Sequence, residues 1–386
     1  MTTKQLQFLA DIQTGPFGSQ LHKEDYVEVG TPIVTVEHLG NRIFTEQNLP
    51  RVSDNDKARL GKYVLQHGDI VFSRVGSVDR CSFVDKYHDG WMFSGRCLRV
   101  RPTEEIDAMY LYYYFCMEDT KRFVRNIAVG ATMPSINTKL LGEVPITYPS
   151  LAEQQRIAQI LASIDDKIEN NTKINDNLQE QASALYEKCF PYAITDDLPA
   201  GWRVGTVGEI VEIHDSKRIP LSGAQRAKME KRIYPYYGAA SLMDYVDEYI
   251  FDGKYLLLGE DGTVVDDAGY PILQYVWGQF WVNNHAHILT GKLGFNVESL
   301  LLLFKRTPVK SIVTGAVQPK ISQANLRSIQ VVIPPRSELD AFNELIRPLF
   351  DQIRQNQDQN QALESLRDAL LPKLMSGEVD ESSIHI

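Results

Sequence analysis

A stretch of sixty residues occurs twice in this chain, and this repetition constrains the fold more than any other feature. Residues 130–189 align with residues 315–374 without a gap, and fifteen of the sixty positions are identical. A duplication of this length predicts two related domains that address two related targets. The length of 386 residues agrees with two domains, because a single core rarely serves more than about 250–300 residues.

The second half of each copy carries the periodicity of a coiled coil. Apolar and asparagine side chains recur in alternating steps of four and three residues, which places them on one face of a helix. The predicted seam positions are Ile157, Leu161, Ile164, Ile168, Asn171, Asn175, Leu178, Ala182 and Leu185 in the first copy, and Phe342, Ile346, Leu349, Ile353, Asn356, Asn360, Leu363, Arg367 and Leu370 in the second. The sequence therefore predicts one long helix at 150–190 and another, followed by a tail, at 335–386.

Two asparagines lie near the middle of each seam, where buried amides must find partners and thereby set helix register. If the helices pair antiparallel, these asparagines can meet each other; exposure to solvent is the alternative. Pro348 predicts a kink or a restart in the second helix. About 36 helical residues at roughly 1.5 Å each form a rod of about 55 Å, the length of one to two turns of duplex DNA.

The regions 1–149 and 191–334 carry strand signals rather than helical periodicity. Short β-rich runs are separated by Gly and Asp, which predicts two mixed, mainly β domains and an α+β fold class overall. The runs are 33–39, 69–76, 81–87 and 91–101 in the first region, and 255–265, 271–278 and 281–291 in the second, with closing strands within 140–149 and 325–334. The middles of the two regions share little sequence, as two readers of different targets require.

The composition favours a globular protein whose negative charge is concentrated on the repeats. Hydrophobic residues make up 43% of the chain, and no apolar run approaches the roughly 18 residues of a membrane span. We therefore expect a cytoplasmic protein with no membrane partner. The net charge of −10 is distributed as −1 over 1–150, −3 over 151–191, −1 over 192–334 and −5 over 335–386. Any basic surface must therefore be local.

Motifs of catalysis and cofactor binding are missing from the sequence. It contains no GxxxxGK[ST], no GxGxxG after a strand, no [DN]PP[FYW] tetrapeptide and no HExxH. The four cysteines form no CxxC pair, and His285 and His287 have no carboxylate or cysteine close in sequence. We therefore predict no catalytic, cofactor-binding or metal-binding residues in this chain.

Several segments together resemble the specificity (S) subunit of type I restriction–modification systems. These segments are IQTGPFGSQL (12–21), GDIVFSRVGSV (68–78), PSLAEQQRIAQILASIDDKIE (149–169), LPAGWRVGTVGEI (198–210) and ALLPKLMSGEV (369–379), and the resemblance covers nearly the whole chain. The chain departs from the family pattern in two places. The first half has no counterpart of Trp202, and the second copy reads PPRSELDAFNELI without the EQQRI core, which predicts unequal docking faces.

The resemblance implies a non-catalytic subunit that supplies the DNA address of a larger complex. In this family each half contributes a target-recognition domain and a long helix, and the two helices form an antiparallel coiled coil. Each domain reads part of a bipartite, asymmetric double-stranded DNA target, and the coiled coil sets the gap. Two methyltransferase (M) subunits supply S-adenosylmethionine and adenine methylation, and restriction (R) subunits supply ATP and Mg for cleavage.

With this function expected, residues able to contact bases or phosphates become candidates. In the first domain they are Ser19, Gln20, His22, Lys23, Arg74, Arg80 and Arg96. In the second domain they are Lys217, Arg218, Arg226, Lys228, Lys231 and Arg232 within a segment of local charge +5, and Tyr236, Tyr237, Asn283, Asn284 and His285. For each residue, an ordinary solvated surface position is the alternative.

Polar residues near the start of each long helix are candidates for contacts with M subunits. They are Glu153, Gln154, Gln155, Arg156 and Gln159 in the first copy, and Glu338 and Asp340 in the second. Two functions of other classes stay open. A coiled-coil scaffold without DNA readout predicts no salt-dependent DNA binding, and a self-contained enzyme predicts turnover by the purified chain. Within the family, decayed recognition domains are a further alternative.

Overall fold

The computed structural model describes residues 1–17, 20–40, 42–315 and 317–384, leaving aside the side chains of Lys23 and Ser383. The chain forms two compact units. Unit 1 comprises residues 1–170 and 359–386, and unit 2 comprises residues 171–358. Each long helix therefore contributes one part to each unit.

Unit 1 contains two four-stranded sheets and a two-stranded ribbon. Its strands are β1 (Thr2–Gln5), β2 (Ala10–Thr14), β3 (Tyr26–Val27), β4 (Thr31–Val34), β5 (Arg51–Val52), β6 (Ile70–Ser73), β7 (Cys81–Phe83), β8 (Met92–Phe93), β9 (Cys97–Pro102) and β10 (Pro145–Tyr148). Its helices are α1 (Asp54–Arg59), α2 (Ala108–Cys116), α3 (Glu118–Ile127), α4 (Thr138–Gly142) and the first half of α5 (Leu151–Cys189). The strand orders are β2-β9-β6-β7 and β3-β5-β4-β8, and β1 pairs with β10.

Unit 2 repeats this plan with different residues. Its strands are β11 (Arg203–Thr206), β12 (Val211–Ile213), β13 (Tyr234–Tyr237), β14 (Leu242–Val246), β15 (Phe251–Asp252), β16 (Tyr255–Gly259), β17 (Leu273–Val276), β18 (Gln279–Val282), β19 (Ala286–Gly291) and β20 (Gln330–Ile333). Its helices are α6 (Val207–Ile210), α7 (Gly223–Arg226), α8 (Val297–Phe304), α9 (Gln323–Ser328) and the first part of α10 (Arg336–Ser376). The strand orders are β12-β19-β16-β17 and β14-β13-β18-β15, and β11 pairs with β20.

The two units share topology down to the sense of strand pairing. The β2-β9-β6-β7 and β12-β19-β16-β17 sheets are antiparallel throughout. The second sheet of each unit contains one parallel pair, β4 with β8 and β13 with β18. The predicted α+β repeat is therefore confirmed, although several strands are shorter than the apolar runs that predict them.

Each unit has a core between its antiparallel sheet, its short helices and the ends of the long helices. In unit 1, Phe72 and Leu98 of the sheet pack in one apolar cluster with Phe115 of α2 and Leu161 of α5. The aromatic rings of Phe72 and Phe115 meet edge to face at 4.7 Å, a favoured arrangement. In unit 2 the corresponding cluster includes residues of β16, β19 and α8 together with Phe342 of α10. The helix ends are thus part of each core.

The long helices pair antiparallel within each unit. In unit 1, Arg367 bonds to Asp165, and Asn360 bonds to the carbonyl of Ile168, so residue numbers fall on one helix as they rise on the other. The predicted seam positions are mostly buried or half-buried along both helices. Helix α10 continues through Pro348, so the predicted restart is wrong. Pro348 has no backbone N–H and removes one hydrogen bond from the helix. The packing of nearby Phe350 in the core of unit 2 stabilises the helix on this side of the proline.

The central asparagines meet inside unit 2, as the antiparallel alternative predicts. Asn356 Nδ2 donates to Asn175 Oδ1 at 2.8 Å, and Asn175 Nδ2 donates to the carbonyl of Ile353 at 3.2 Å. Both side chains are buried. Burying two amides destabilises the fold little when they are hydrogen-bonded to each other. A shift of one helix along the other would leave both amides buried without these hydrogen bonds, so this pair fixes the register of the helices.

We expect Asn356→Leu to lower the free energy of unfolding of unit 2 by about 1–3 kcal/mol, because the buried side-chain oxygen Oδ1 of Asn175 loses its hydrogen-bond donor. The double variant Asn175→Leu/Asn356→Leu should regain most of this loss, since two apolar groups leave no amide unsatisfied. Asn177→Leu, at an exposed asparagine on the same helix as Asn175, is the control. Urea unfolding followed by circular dichroism checks the series, and a single variant as stable as the wild type contradicts it.

Candidate nucleic-acid interface

Three arginines lie together at one end of the β2-β9-β6-β7 sheet of unit 1. Arg74 directly follows β6, Arg80 directly precedes β7, and Arg96 directly precedes β9. The Arg74 backbone N–H donates to the Arg96 carbonyl at 2.8 Å, and the N–H of Ser73 donates to the Arg80 carbonyl at 2.9 Å. Because β6 runs antiparallel to both β7 and β9, the end of β6 and the starts of β7 and β9 lie at the same end of the sheet. We call these three residues the arginine cluster.

The arginine cluster has no acidic partner within ion-pairing distance among the described residues, whereas most other arginines of unit 1 pair with carboxylates. Arg42 pairs with Asp166 at 2.5 Å and with Glu169 at 2.8 Å. Arg99, Arg101 and Arg125 likewise pair with carboxylates. An uncompensated local positive charge is what a phosphate or a guanine edge attracts. The acidic chain therefore does carry a basic surface.

The other predicted contacts in unit 1 have mixed positions. Gln20 is half-buried and accepts a hydrogen bond from the Tyr63 hydroxyl at 2.6 Å, so its amide oxygen is engaged within the fold. His22 is exposed. Ser19 lies outside the described residues, as does the side chain of Lys23. Sequence analysis missed Phe17, an aromatic residue that is 62% exposed beside the Arg74 guanidinium.

In unit 2 the basic segment 216–232 divides into engaged and exposed cations. Arg218 Nη1 pairs with Glu260 at 2.6 Å and also donates to the carbonyl of Ala286 at 2.8 Å, so it braces the domain. Arg226 pairs with Asp244 at 3.0 Å. The remaining predicted cations, Lys217, Lys228, Lys231 and Arg232, are exposed, and Arg232 also lies 3.6 Å from Asp244. Ion pairs within unit 2 therefore hold Arg218 and Arg226, and phosphate binding by the six cations stays a prediction.

Two predicted base readers of unit 2 are core residues. Tyr236 is 1% exposed, and its hydroxyl accepts from the Leu221 N–H at 3.1 Å. Asn283 is 4% exposed, and its side-chain oxygen accepts from the His285 N–H at 2.8 Å. Neither can reach a base from these positions, which corrects the prediction for both. Tyr237 and His285 are half-buried and Asn284 is exposed, so a DNA-binding role stays a prediction for these three.

A buried charged network underlies this part of unit 2, and sequence analysis missed it. Asp215 Oδ2 accepts from His287 Nδ1 at 2.6 Å and from the Gln323 amide at 2.6 Å. His287 Nε2 lies 2.8 Å from the carbonyl oxygen of Ile321, so both ring nitrogens have an oxygen partner. Burial raises the pKa of Asp215, but the His287 hydrogen bond and charge outweigh it and hold that pKa below the ordinary value.

The same network brings together groups that could ligate a metal. Ligand atoms of Asp215, Glu260 and His287 lie within 4.8 Å of one another. Lys320 Nζ lies 3.3 Å from Glu260, and Arg218 bonds to the same carboxylate, so protein cations already balance its charge. The sequence showed no carboxylate near the histidines, yet Asp261 also pairs with His285. Residues distant in sequence supply these acids, so no local motif could have revealed them.

The residues predicted to contact M subunits are mostly on the surface. Gln154 is the exception, with 1% exposure. Its side-chain oxygen accepts from the Asp107 N–H at 2.8 Å, and its amide donates to the Pro149 carbonyl at 3.0 Å, so it ties α5 to α2 and corrects that prediction. Those that are exposed are Gln155, Arg156, Gln159, Glu338 and Asp340, while Glu153 is half-buried.

The chain is similar to known proteins along most of its length. Residues 1–180 and 199–365 match the family model described as the type I restriction modification DNA specificity domain. The chain is 27% identical to the type I restriction enzyme MjaIX specificity subunit of Methanocaldococcus jannaschii, across 72% of this chain and 70% of that protein. It is 22% identical to the putative MjaX specificity subunit of the same organism, across 92% and 89%.

A solved structure has the same fold. The crystal structure of the type I restriction–modification system S subunit from M. genitalium superposes with a TM-score of 0.60 at 19% identity, covering 97% of this chain and 95% of that one. At 19% identity this similarity establishes a shared fold and nothing about function. In the described part of the chain, none of the helices is both long and apolar enough to cross a membrane.

Proposed function

Because this chain belongs to the family of type I restriction–modification DNA specificity subunits, we propose that each unit reads one part of a bipartite, asymmetric DNA target. The observation that carries this proposal is the shared topology of the two units combined with different side chains at equivalent places. A common scaffold suits a common ligand, double-stranded DNA. Divergent surface residues suit two different base sequences.

The arginine cluster supports DNA as the ligand of unit 1. Arg80 and Arg96 are exposed, and neither has an acidic partner in the described ranges. Such cations release counterions when they bind phosphates, which makes the affinity fall as salt rises. In unit 2 the exposed Lys217 and Lys231 can act in the same way.

The long helices are proposed to set the gap between the two parts of the target and to dock two M subunits. Helix α5 has 39 residues and α10 has 41, each roughly 60 Å long at about 1.5 Å per residue. The seam and the Asn175–Asn356 pair oppose sliding, so a helix pair of this length can serve as a ruler. The negative charge of the repeats makes these helices better suited to protein partners than to DNA.

Catalysis is proposed to belong to the partners. The M subunits would supply S-adenosylmethionine and adenine methylation, and R subunits would supply ATP, Mg and cleavage, all within the cytoplasm. This chain then contributes the address alone. The supporting observation is that its conspicuous charged cluster, around Asp215, is organised by internal ion pairs within unit 2.

Co-expression of the chain with its M subunit, followed by methylation-sensitive long-read sequencing of host DNA, tests the proposal. We expect one modified adenine motif made of two unlike parts separated by a fixed number of unspecified bases. Expression of the M subunit alone is the control and should produce no such motif. If the complex assembles and yet no bipartite motif is modified, the proposal is wrong, and absence of salt-dependent DNA binding would then favour the scaffold alternative.

A further inference from the structure

Arg74 of unit 1 and Glu260 of unit 2 occupy the same backbone position. The Arg74 N–H donates to the Arg96 carbonyl at 2.8 Å, and the Glu260 N–H donates to the His285 carbonyl at 2.8 Å. The Arg74 carbonyl accepts from Ile136 at 2.9 Å, whereas the Glu260 carbonyl accepts from the repeat-equivalent Ile321 at 2.8 Å. Each position also directly follows the matching strand, β6 or β16. The equivalence is therefore fixed by hydrogen bonding as well as topology.

The two side chains at this position have opposite chemistry. Arg74 carries a positive charge without an acidic partner in the part of unit 1 that the structure describes. Glu260 carries a negative charge that Arg218 and Lys320 neutralise at 2.6 and 3.3 Å. The Glu260 side chain is 14% exposed. Unit 1 thus presents a guanidinium where unit 2 presents an internal ion pair.

Arg74 is also held by contacts within unit 1. Its Nη1 donates to the Gly95 carbonyl at 3.1 Å, and its guanidinium lies 6.0 Å from the centre of the Phe17 ring. The residue is half-buried. Side chains that are already ordered lose less entropy on binding and favour one geometry. Freer arginines suit phosphates, which need charge rather than exact placement.

We propose that Arg74 reads a guanine in the half of the target bound by unit 1, and that unit 2 has no equivalent reader. A guanidinium can donate two parallel hydrogen bonds to O6 and N7 of guanine in the major groove. Apart from the Nη1 bond to Gly95, the N–H groups of Arg74 have no hydrogen-bond acceptor among the described residues. This inference rests on the proposed function and adds to it the identity of one base and the side chain that contacts it.

Arg74→Gln tests the proposal in the complex with M subunits. Glutamine pairs with N6 and N7 of adenine, so we expect one position of the unit 1 half-site to change from guanine to adenine or to become degenerate. Discrimination at that position should fall about 10-fold, while the half-site of unit 2 stays unchanged. Arg74→Lys should retain a weakened guanine preference, since lysine keeps the charge but lacks the fork.

The matched controls separate base reading from phosphate binding. Arg80→Gln and Arg96→Gln should lower methylation and the salt slope of binding without altering the motif, and Arg122→Gln on α3 should change neither. An unchanged motif in Arg74→Gln overturns this inference alone. A wild-type complex with no bipartite motif overturns the proposed function and this inference with it. If Arg74→Gln abolishes methylation, the affinity of the variant complex is measured for four duplexes that differ only in the base pair at the guanine position of the unit 1 half-site. A guanine preference retained by Arg74→Gln shows that Arg74 does not read this base.

Discussion

Replacing Arg367 with methionine is expected to lower the free energy of unfolding of unit 1 by about 3 kcal/mol. Arg367 Nη1 donates to Asp165 Oδ1 at 2.8 Å, and the Tyr113 hydroxyl donates to Asp165 Oδ2 at 2.7 Å. The Asp165 side chain is 8% exposed. Without Arg367 this buried carboxylate would lose its positively charged partner and retain, among the described residues, only the neutral Tyr113 donor. The large cost comes from the charge left behind rather than from the lost hydrogen bond.

A double-mutant cycle separates these contributions. Asp165→Asn retains an oxygen that can accept from Tyr113 but removes the charge, so Arg367→Met/Asp165→Asn should recover most of the stability lost by Arg367→Met. Arg347→Met is the control on the same helix, because its pair with Glu344 is exposed and should contribute less than about 1 kcal/mol. Urea unfolding, with hydrogen exchange at 359–376 to locate the effect, measures all four. Equal losses in Arg367→Met and Arg347→Met would contradict the argument.

Much of the helical architecture was predictable because heptad spacing is a local property of the sequence. The predicted helix at 150–190 is α5, Leu151–Cys189. The asparagines predicted to meet do meet, since an antiparallel pair of equal seams places Asn175 opposite Asn356. At Pro348 the expected restart does not occur, because the penalty for one missing N–H is smaller than the gain from packing on both sides, while a kink there stays a prediction.

The surface of each unit was less predictable, because ion pairing and burial depend on residues far apart in the sequence. Arg218 looked like a phosphate contact within a basic segment, yet Glu260, 42 positions away, holds it. Tyr236 looked like a base reader, yet the strand pairing of β13 with β18 places it in the core. The same folding brings Arg74, Arg80 and Arg96 to one sheet edge. The residue types for DNA readout were visible in the sequence, whereas the selection among them required tertiary structure.

Asp215→Ala is expected to lower the free energy of unfolding of unit 2 by about 3–5 kcal/mol. The carboxylate is the acceptor for His287 Nδ1, for the Gln323 amide and, at 3.0 Å, for the backbone N–H of Ile288. Its removal leaves the buried partner groups of His287, Gln323 and Ile288 without this carboxylate. Because Arg218 pairs with Asp215 and Glu260 in the same network, the start of β19, which directly follows His285, should become less stable as well.

The pH dependence of stability should report the same network through Asp215→Asn. The pKa of Asp215 lies below its ordinary value in the folded chain, so the unfolded chain binds the proton more tightly. Its stabilising contribution is therefore complete above about pH 4 and is lost as the pH falls through the folded pKa. The asparagine of this variant cannot ionise, so the stability difference between wild type and variant should be large near neutrality and shrink below about pH 4. Asp267→Asn, at an exposed acid of unit 2, should show a small difference at every pH. Urea midpoints measured across this range check the prediction, and a wild-type advantage over Asp215→Asn that stays constant into acid would show that the Asp215 charge does not stabilise unit 2.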